Sequence, residues 1–271
     1  MSPRLASFPT HAQIFGLSGR TALVTGAAGH LGSAMAVALA RAGAHVILNG
    51  RSKAKLEAFA DELAEEGLSV QVAAFDVLDH AAAASFFATL KRLDVLVNNA
   101  VTGLPTTADA SRADAFAATL ASGITAVNEN VQAALPALKA AARAVGQASV
   151  INIASIYGHR SPSFATYGDS GFDSPPQYAA SKGGMIALTR YLACRLAPDG
   201  VRVNSLSPGV FPWPEIEQAH PNFVARSGQR TPMERTGRWC EIGGPAVFLA
   251  SDASAYMTGA DLLVDGGWTA W

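Results

Sequence analysis

The junction at residues 21–42 limits most severely how this chain can fold. Thr21-Ala22-Leu23-Val24 is a short apolar run of strand character that stops at Thr25-Gly26-Ala27-Ala28-Gly29-His30-Leu31-Gly32. Residues 31–42 then repeat apolar side chains at helical spacing, and Gly43 closes the run. A strand that turns through glycines directly into a helix leaves backbone open at the helix N-terminus. A pyrophosphate can settle there on unpaired N–H groups and the positive end of the helix dipole. Gly26, Gly29 and Gly32 taken alone would equally suit an ordinary tight turn. Their place at the first strand–helix junction of an alternating chain favours the phosphate cradle.

The alternation continues. Residues 45–48, 69–74, 93–97, 149–153, 201–206 and 261–264 read as further strands. Helical patterns cover 53–66, an Ala-rich stretch at 113–145 with Gly123 and Pro136 as candidate bends, 178–196 and 242–250. This predicts an α/β fold: one Rossmann-type domain with a doubly wound parallel sheet and helices on both faces. Residues 1–16 read as a loose arm and 17–271 as the domain itself. Two stretches near 156–177 and 210–238 are aperiodic, and the first is long enough to be a functional lid or binding loop.

The 271 residues carry a formal charge of -1, which gives no electrostatic reason to expect nucleic acid or an anionic membrane as partner. No apolar run is long enough to span a bilayer; residues 31–48 come nearest and are interrupted by Arg41 and His45. Two cysteines, Cys194 and Cys240, are too few for a disulfide framework or a zinc site and suit free thiols in a reducing cytoplasm. His11, His30, His45, His80, His159 and His220 show no metal-ligand spacing, so no metal is expected.

Tyr178-Ala179-Ala180-Ser181-Lys182 opens the helical pattern that runs to Leu196. Positions four apart share a helix face, so the Tyr178 phenol and the Lys182 ammonium stand one above the other. A cation beside a phenol favours the phenolate, as a general acid/base requires. By itself such a pair is equally an exposed polar pair. The end of the second strand bears on the cofactor. A carboxylate there would hydrogen-bond the ribose hydroxyls of NAD, but Gly50 holds that place and Arg51 follows. A guanidinium pairs with a 2′-phosphate, so NADP is the preferred cofactor and NAD the alternative. The competing reading of Arg51 is a solvated start to the next helix.

Thr25-Gly26 with Gly32, then Asp76, Asn98-Asn99-Ala100, Asn128, Ser155, Tyr178-x-x-x-Lys182 and Pro208-Gly209, in this order, resemble the short-chain dehydrogenase/reductase family. The resemblance runs from about Leu17 to the terminal Val264-Asp265-Gly266-Gly267. It implies that Tyr178 exchanges a proton with the substrate oxygen during hydride transfer, and that Ser155 orients that oxygen. It implies that Lys182 lowers the phenol pKa and holds the nicotinamide ribose, and that Asn128 anchors a proton-relaying water. Asp76 and Val77 would border the adenine, Asn98 to Ala100 the adenosine ribose, and Leu31, Pro208 and Gly209 complete the implied cofactor contacts. Family members are commonly oligomers, so a dimer or tetramer is expected.

The chain departs from the family's pattern in places. His30 stands where the usual turn has glycine, while Gly29 sits one place earlier, a spacing similar to the branch containing sugar-nucleotide epimerases and dehydratases. His30 would sit over the phosphates, as a donor to them or as a solvated turn residue. Val101 replaces the glycine that usually follows Asn-Asn-Ala. The gap between Ser155 and Tyr178 is longer than usual by about ten residues and includes His159, Arg160, Ser163, Tyr167, Asp169 and Phe172. It is read either as shaping a polar substrate pocket, with His159 in contact, or as a tolerated surface insertion. The second loop carries Phe211, Trp213, Glu215, His220, Phe223, Arg226 and Arg230, a mixture suited to stacking on a sugar face and contacting an anion. Thr231-Pro232-Met233 and the closing Gly266-Gly267-Trp268-Thr269-Ala270-Trp271 resemble a sugar-modification subgroup; Trp268 and Trp271 equally suit a subunit interface.

The expectation is an NADP(H)-dependent oxidoreductase that interconverts an alcohol and a ketone on a sugar- or polyol-like small molecule. One alternative is an epimerase or dehydratase that retains NAD. Another is a non-catalytic dinucleotide-binding sensor.

Overall fold

Strand residues alternate between two apolar layers, and that alternation sets the architecture. In the computed structural model, which describes residues 7–101, 112–168, 170–171 and 173–271, β1 (Thr21–Val24) sends Ala22 and Val24 to one face and Leu23 to the other. The same division holds in β2 (His45–Gly50), where Val46 and Leu48 oppose Ile47, and in β4 (Val95–Asn98), where Val95 and Val97 oppose Leu96. A strand apolar on both faces needs a helix on each side, which is why the sheet is buried.

Seven parallel strands form the sheet among the described residues, in the order β3-β2-β1-β4-β5-β6-β7. The remaining strands are β3 (Val70–Ala74), β5 (Ala148–Ile153), β6 (Val201–Pro208) and β7 (Asp261–Val264). One face is covered by α2 (His30–Arg41) and α3 (Lys53–Glu65), through Met35, Leu39, Leu56 and Leu63. The other is covered by α4 (His80–Thr89) and α6 (Ala126–Val145), through Phe87, Val131 and Leu138, and by α8 (Pro176–Leu196), through Leu192 and Leu196. A short α11 (Gly243–Ala250) returns to the first face with Ala246 and Leu249. The sheet order reverses between β1 and β4, and ligands of open α/β sheets bind outside the strand C-termini at such a crevice.

The structure differs from the sequence reading in several segments. Helix α4 was not anticipated: its run of alanines and phenylalanines has no contrasting polar face. The Ala-rich stretch is not one helix. Its parts are α5 (Arg112–Leu120), a wider π-type turn at Ala121–Thr125 and α6. The interruption falls around Gly123, while Pro136 stays inside α6. The loops are partly helical as well, with α7 (Phe164–Tyr167) in the first and α9 (Pro214–Ala219) and α10 (Pro221–Gln229) in the second. Proline stands at the first position of both second-loop helices, where its missing N–H costs nothing. Asp169 and Phe172 lie outside the described residues.

The arm contains α1 (His11–Phe15), closed by a reciprocal cap between Thr10 and Gln13, and the buried core begins at Leu17. Trp268 is buried within the chain, with the Arg230 guanidinium 5.8 Å from its ring, whereas Trp271 is exposed. Cys194 and Cys240 are exposed free thiols. Among the described residues no helix is long and apolar enough to cross a membrane, and no group of His, Cys, Asp and Glu side chains could hold a metal ion.

Candidate active site

A cavity of about 570 Å³ opens at the C-terminal ends of β1, β2, β4, β5 and β6. Its floor is the glycine turn. Gly26 holds a left-handed conformation (φ 64°), and a Cβ on Gly32 would collide with the Gly26 carbonyl. Only glycines let α2 start this close to the strand. The first N–H groups of α2 have no helical partners and face the space above the turn. The turn is fixed from β4: the Thr25 hydroxyl accepts from the N–H groups of Asn99 and Ala100, both at 2.9 Å, and the Asn99 amide donates to the Thr25 carbonyl at 2.8 Å. Bare glycines, free N–H groups and a helix N-terminus fit a dinucleotide pyrophosphate.

Gly26, Gly29, His30, Leu31 and Gly32 all line this cavity, with Arg51, Asp76, Val77, Ala100, Pro208 and Gly209. Asn98 does not: it is buried beneath, donating to the Asn152 side chain at 2.9 Å. Ser52 and Lys55 join Arg51 on the wall, unread in the sequence although Lys55 lies one helical turn beyond Arg51. Asp76 folds its carboxylate onto the Leu78 N–H at 3.0 Å, and Asp79 is the residue that caps α4. Asn99, the middle of the Asn-Asn-Ala motif, lines the cavity too; Asn49, Phe75 and Ile153 also face it, and none of these three belongs to a pattern that marks it in sequence.

At the other end stand Ser155, Tyr178 and Lys182. Ser155 follows β5, is buried, and accepts from the Tyr157 N–H at 3.2 Å. It shares the cavity wall with the Tyr178 phenol. Lys182 is buried beneath them, its Nζ 5.6 Å from the Tyr178 ring centroid and donating to the Ile153 carbonyl at 2.7 Å. Burial pushes the Tyr178 phenol up from its ordinary pKa, and the neighbouring Ser155 hydroxyl works against that rise. Burial also lowers the Lys182 ammonium to about 8. The sequence reading had Lys182 drawing the phenol pKa down; in the protein alone desolvation is the larger effect on both groups.

Two other candidates sit apart from this trio. Asn128, half-buried on α6, donates to Glu129 at 3.2 Å and does not line the cavity. His159 turns away to pair with Asp261 at 2.7 Å and lines a separate cavity of about 430 Å³ under the insert. Phe211 and Trp213 border the main cavity. Trp213 stacks on His30, with ring centroids 4.9 Å apart and planes at 24°. His30 itself is lowered by burial, opposed by the neighbouring Pro212 carbonyl, by Glu217 and Glu215, and by the Phe211 carbonyl.

The insert and the second loop close on each other. Arg226 of α10 donates to the Thr166 and Tyr167 carbonyls at 2.9 and 3.1 Å, and Tyr167 stacks on Phe223 at 5.5 Å. The Tyr167 and Tyr157 hydroxyls are 2.9 Å apart, and the Tyr157 ring meets Tyr178 edge-on at 6.4 Å. Residues of the insert thus reach the reacting phenol through one intermediate ring.

A protein-family model described as enoyl-(acyl carrier protein) reductase matches residues 26–269. The chain is 34% identical to the gluconate 5-dehydrogenase of Gluconobacter oxydans, over 96% of this chain and 98% of that protein. It is 35% identical to the galactitol 2-dehydrogenase (L-tagatose-forming) of Cereibacter sphaeroides, over 95% and 98%. A solved structure of gluconate 5-dehydrogenase from Burkholderia cenocepacia, in complex with NADP and tartrate, superposes with a TM-score of 0.81 at 32% identity, covering 97% of this chain and all (100%) of that one.

Proposed function

The chain belongs to the short-chain dehydrogenase/reductase family, and from that premise we propose that it interconverts an alcohol and a ketone on a sugar- or polyol-like molecule, using NADP(H) in preference to NAD(H). It is a nicotinamide-dependent oxidoreductase acting on CH–OH and C=O groups. One observation carries the site assignment: Ser155, Tyr178 and a buried Lys182 line the same cavity as the glycine cradle.

The nicotinamide supplies or accepts the hydride when bound. Ser155 holds the substrate oxygen within reach of Tyr178. The phenol, raised by burial, is protonated at neutral pH and so ready to donate to an oxygen gaining negative charge during reduction. In oxidation the same oxygen must take the proton back, and the Lys182 ammonium opposes the cost of the resulting phenolate. The Ile153 carbonyl holds one Lys182 N–H and fixes the head, leaving two donors for the ribose. Phe211 and Trp213 border the mouth with apolar surface suited to a sugar face, and the relatives named for gluconate and galactitol support that substrate class.

The cofactor preference rests on Arg51, Ser52 and Lys55 lining the cavity beside Gly50, with no carboxylate at that strand end. Titrating NADPH and NADH by fluorescence tests it. NADPH is expected to bind the more tightly, and Arg51→Ala to lose at least about tenfold of that preference, the size of one charge-assisted contact. Preference for NADH in the wild-type protein would overturn the assignment. NADP-dependent oxidation of polyols and sugar acids tests the substrate class. An epimerase or dehydratase with retained NAD, suggested by Gly29, would leave purification carrying nucleotide absorbance; free protein is expected. A non-catalytic sensor would keep its biological effect in Tyr178→Phe. We place the enzyme in the cytoplasm as a dimer or tetramer, with its exposed thiols reduced.

A further inference from the structure

His30 takes the place of a turn glycine, and its surroundings give the substitution a purpose. The ring stands at the first position of α2, on the wall of the dinucleotide cavity. Three consecutive residues of the substrate-covering segment meet it: the Phe211 and Pro212 carbonyls beside the ring, and Trp213 stacked on its face at 4.9 Å. Glu215 and Glu217, on the helix Trp213 begins, add attraction toward a protonated ring. Its backbone is held separately: the Trp239 indole donates to the His30 carbonyl at 2.7 Å and lies 3.2 Å from the Ser33 hydroxyl. The Nε2 atom is buried with no protein partner. A glycine in this place could make none of the side-chain contacts.

We propose that His30 is a positioning residue that ties the substrate-covering segment at Trp213 to the phosphate cradle, so that cofactor affinity and the placement of that segment depend on each other. The inference rests on the reading of the cradle as a dinucleotide site. On the far side Arg226 grips α7. On the cradle side the His30 ring holds the start of the segment at Trp213, while Trp239 just past its end bonds the His30 carbonyl. A dinucleotide that orders the turn holds the imidazole, and the imidazole holds Trp213 over the mouth. Pulling Trp213 away must then weaken the cofactor through His30, by linkage.

A double-mutant cycle on NADPH dissociation constants tests this, using the full chain with His30→Ala, Trp213→Ala and the double variant. Trp213→Ala is expected to weaken NADPH about threefold or more in the wild-type background and to have less than about 1.5-fold effect in the His30→Ala background. His30→Phe, which restores a ring face, is expected to restore the sensitivity to Trp213→Ala. His30→Ala should also raise KM for the polyol by a larger factor than it lowers kcat, which general loosening of the fold would not do. Thermal midpoints close to wild type for all variants accompany this result. Equal effects of Trp213→Ala in both backgrounds would overturn the coupling and leave the oxidoreductase reading standing. If the wild-type protein bound neither dinucleotide, the reading of the cradle would fall and the coupling with it.

Discussion

Replacing Tyr178 by phenylalanine removes one oxygen from a ring already packed edge-on to Tyr157, so the fold has little to lose and the proton transfer everything. Tyr178→Phe should lower kcat by about 10²–10⁴-fold, the span of general acid/base catalysis, with NADPH affinity within about twofold of wild type. Lys182 yields a stability prediction. Its folded-state pKa, about 8, lies below the unfolded value of 10.5, so between those pH values the unfolded chain binds more protons. The penalty for burying the ammonium is full below about pH 8 and fades as pH rises toward 10.5. Relative to Lys182→Met, the wild-type protein should therefore gain stability across that window, on the order of 3 kcal/mol. Urea unfolding of both proteins at pH 7.5 and 10.5 measures the gain; a constant difference would show that Lys182 is not desolvated. The same residues show what a sequence discloses. Tyr178 and Lys182 were legible because a spacing of four survives in any helix. Asn128 was read from the resemblance alone, and it stands just past the wider turn around Gly123, beside Glu129.

At the scale of elements, the segment covering the site is built from two loops that fasten to each other. Arg226→Met releases the Thr166 and Tyr167 carbonyls, so α7 and α10 should part together. Hydrogen exchange is expected to rise in both 163–168 and 221–229, with substrate KM raised several-fold and NADPH affinity intact; exchange rising in one loop alone would separate them. A second test concerns the contact between the π-type turn and α8. A Cβ on Gly123 would collide with the Ser181 hydroxyl, which neighbours Lys182 in sequence. Gly123→Ala must push α8 away or strain the turn, costing about 1–3 kcal/mol and lowering kcat as the catalytic helix shifts. Chemical denaturation and single-turnover rates check the two effects. The strands were readable almost to the residue, since short apolar runs ended by glycine or asparagine have few other uses. The second-loop helices α9 and α10 were hidden: each is brief and begins with proline, α9 buries no residue, and α10 packs Phe223 against the first loop rather than the core. His159 looked like a pocket residue from its position between Ser155 and Tyr178, and the choice of Asp261 as partner could not be foreseen from either neighbour alone.

Across the whole molecule, chemistry and cohesion occupy opposite ends of the sheet. At the N-terminal end of β6, buried Arg202 hydrogen-bonds the Leu249, Ser251 and Met257 carbonyls and the Ser254 hydroxyl, joining the last strands to α11. Arg202→Met would remove all of these bonds at once, although Ser149, Ser254 and Asn204 still donate to the carbonyls. It should destabilise the protein by about 1–3 kcal/mol while NADPH affinity at the opposite end stays within about twofold. Chemical denaturation beside a binding titration would show it, and a parallel loss of affinity would mean the two ends are not separable.

Between those ends runs a short polar chain through the apolar interior. Asn98 donates to Asn152 and Asn152 donates to Thr189 of α8, both at 2.9 Å. Oil-like contacts permit gradual sliding, but hydrogen bonds of fixed length do not. The chain works as an indexing pin: it gives the catalytic helix one seat against β4 and β5 and no graded series of neighbouring ones. On warming, such an enzyme would be expected to hold its full turnover number until the cooperative transition and then lose it at a step.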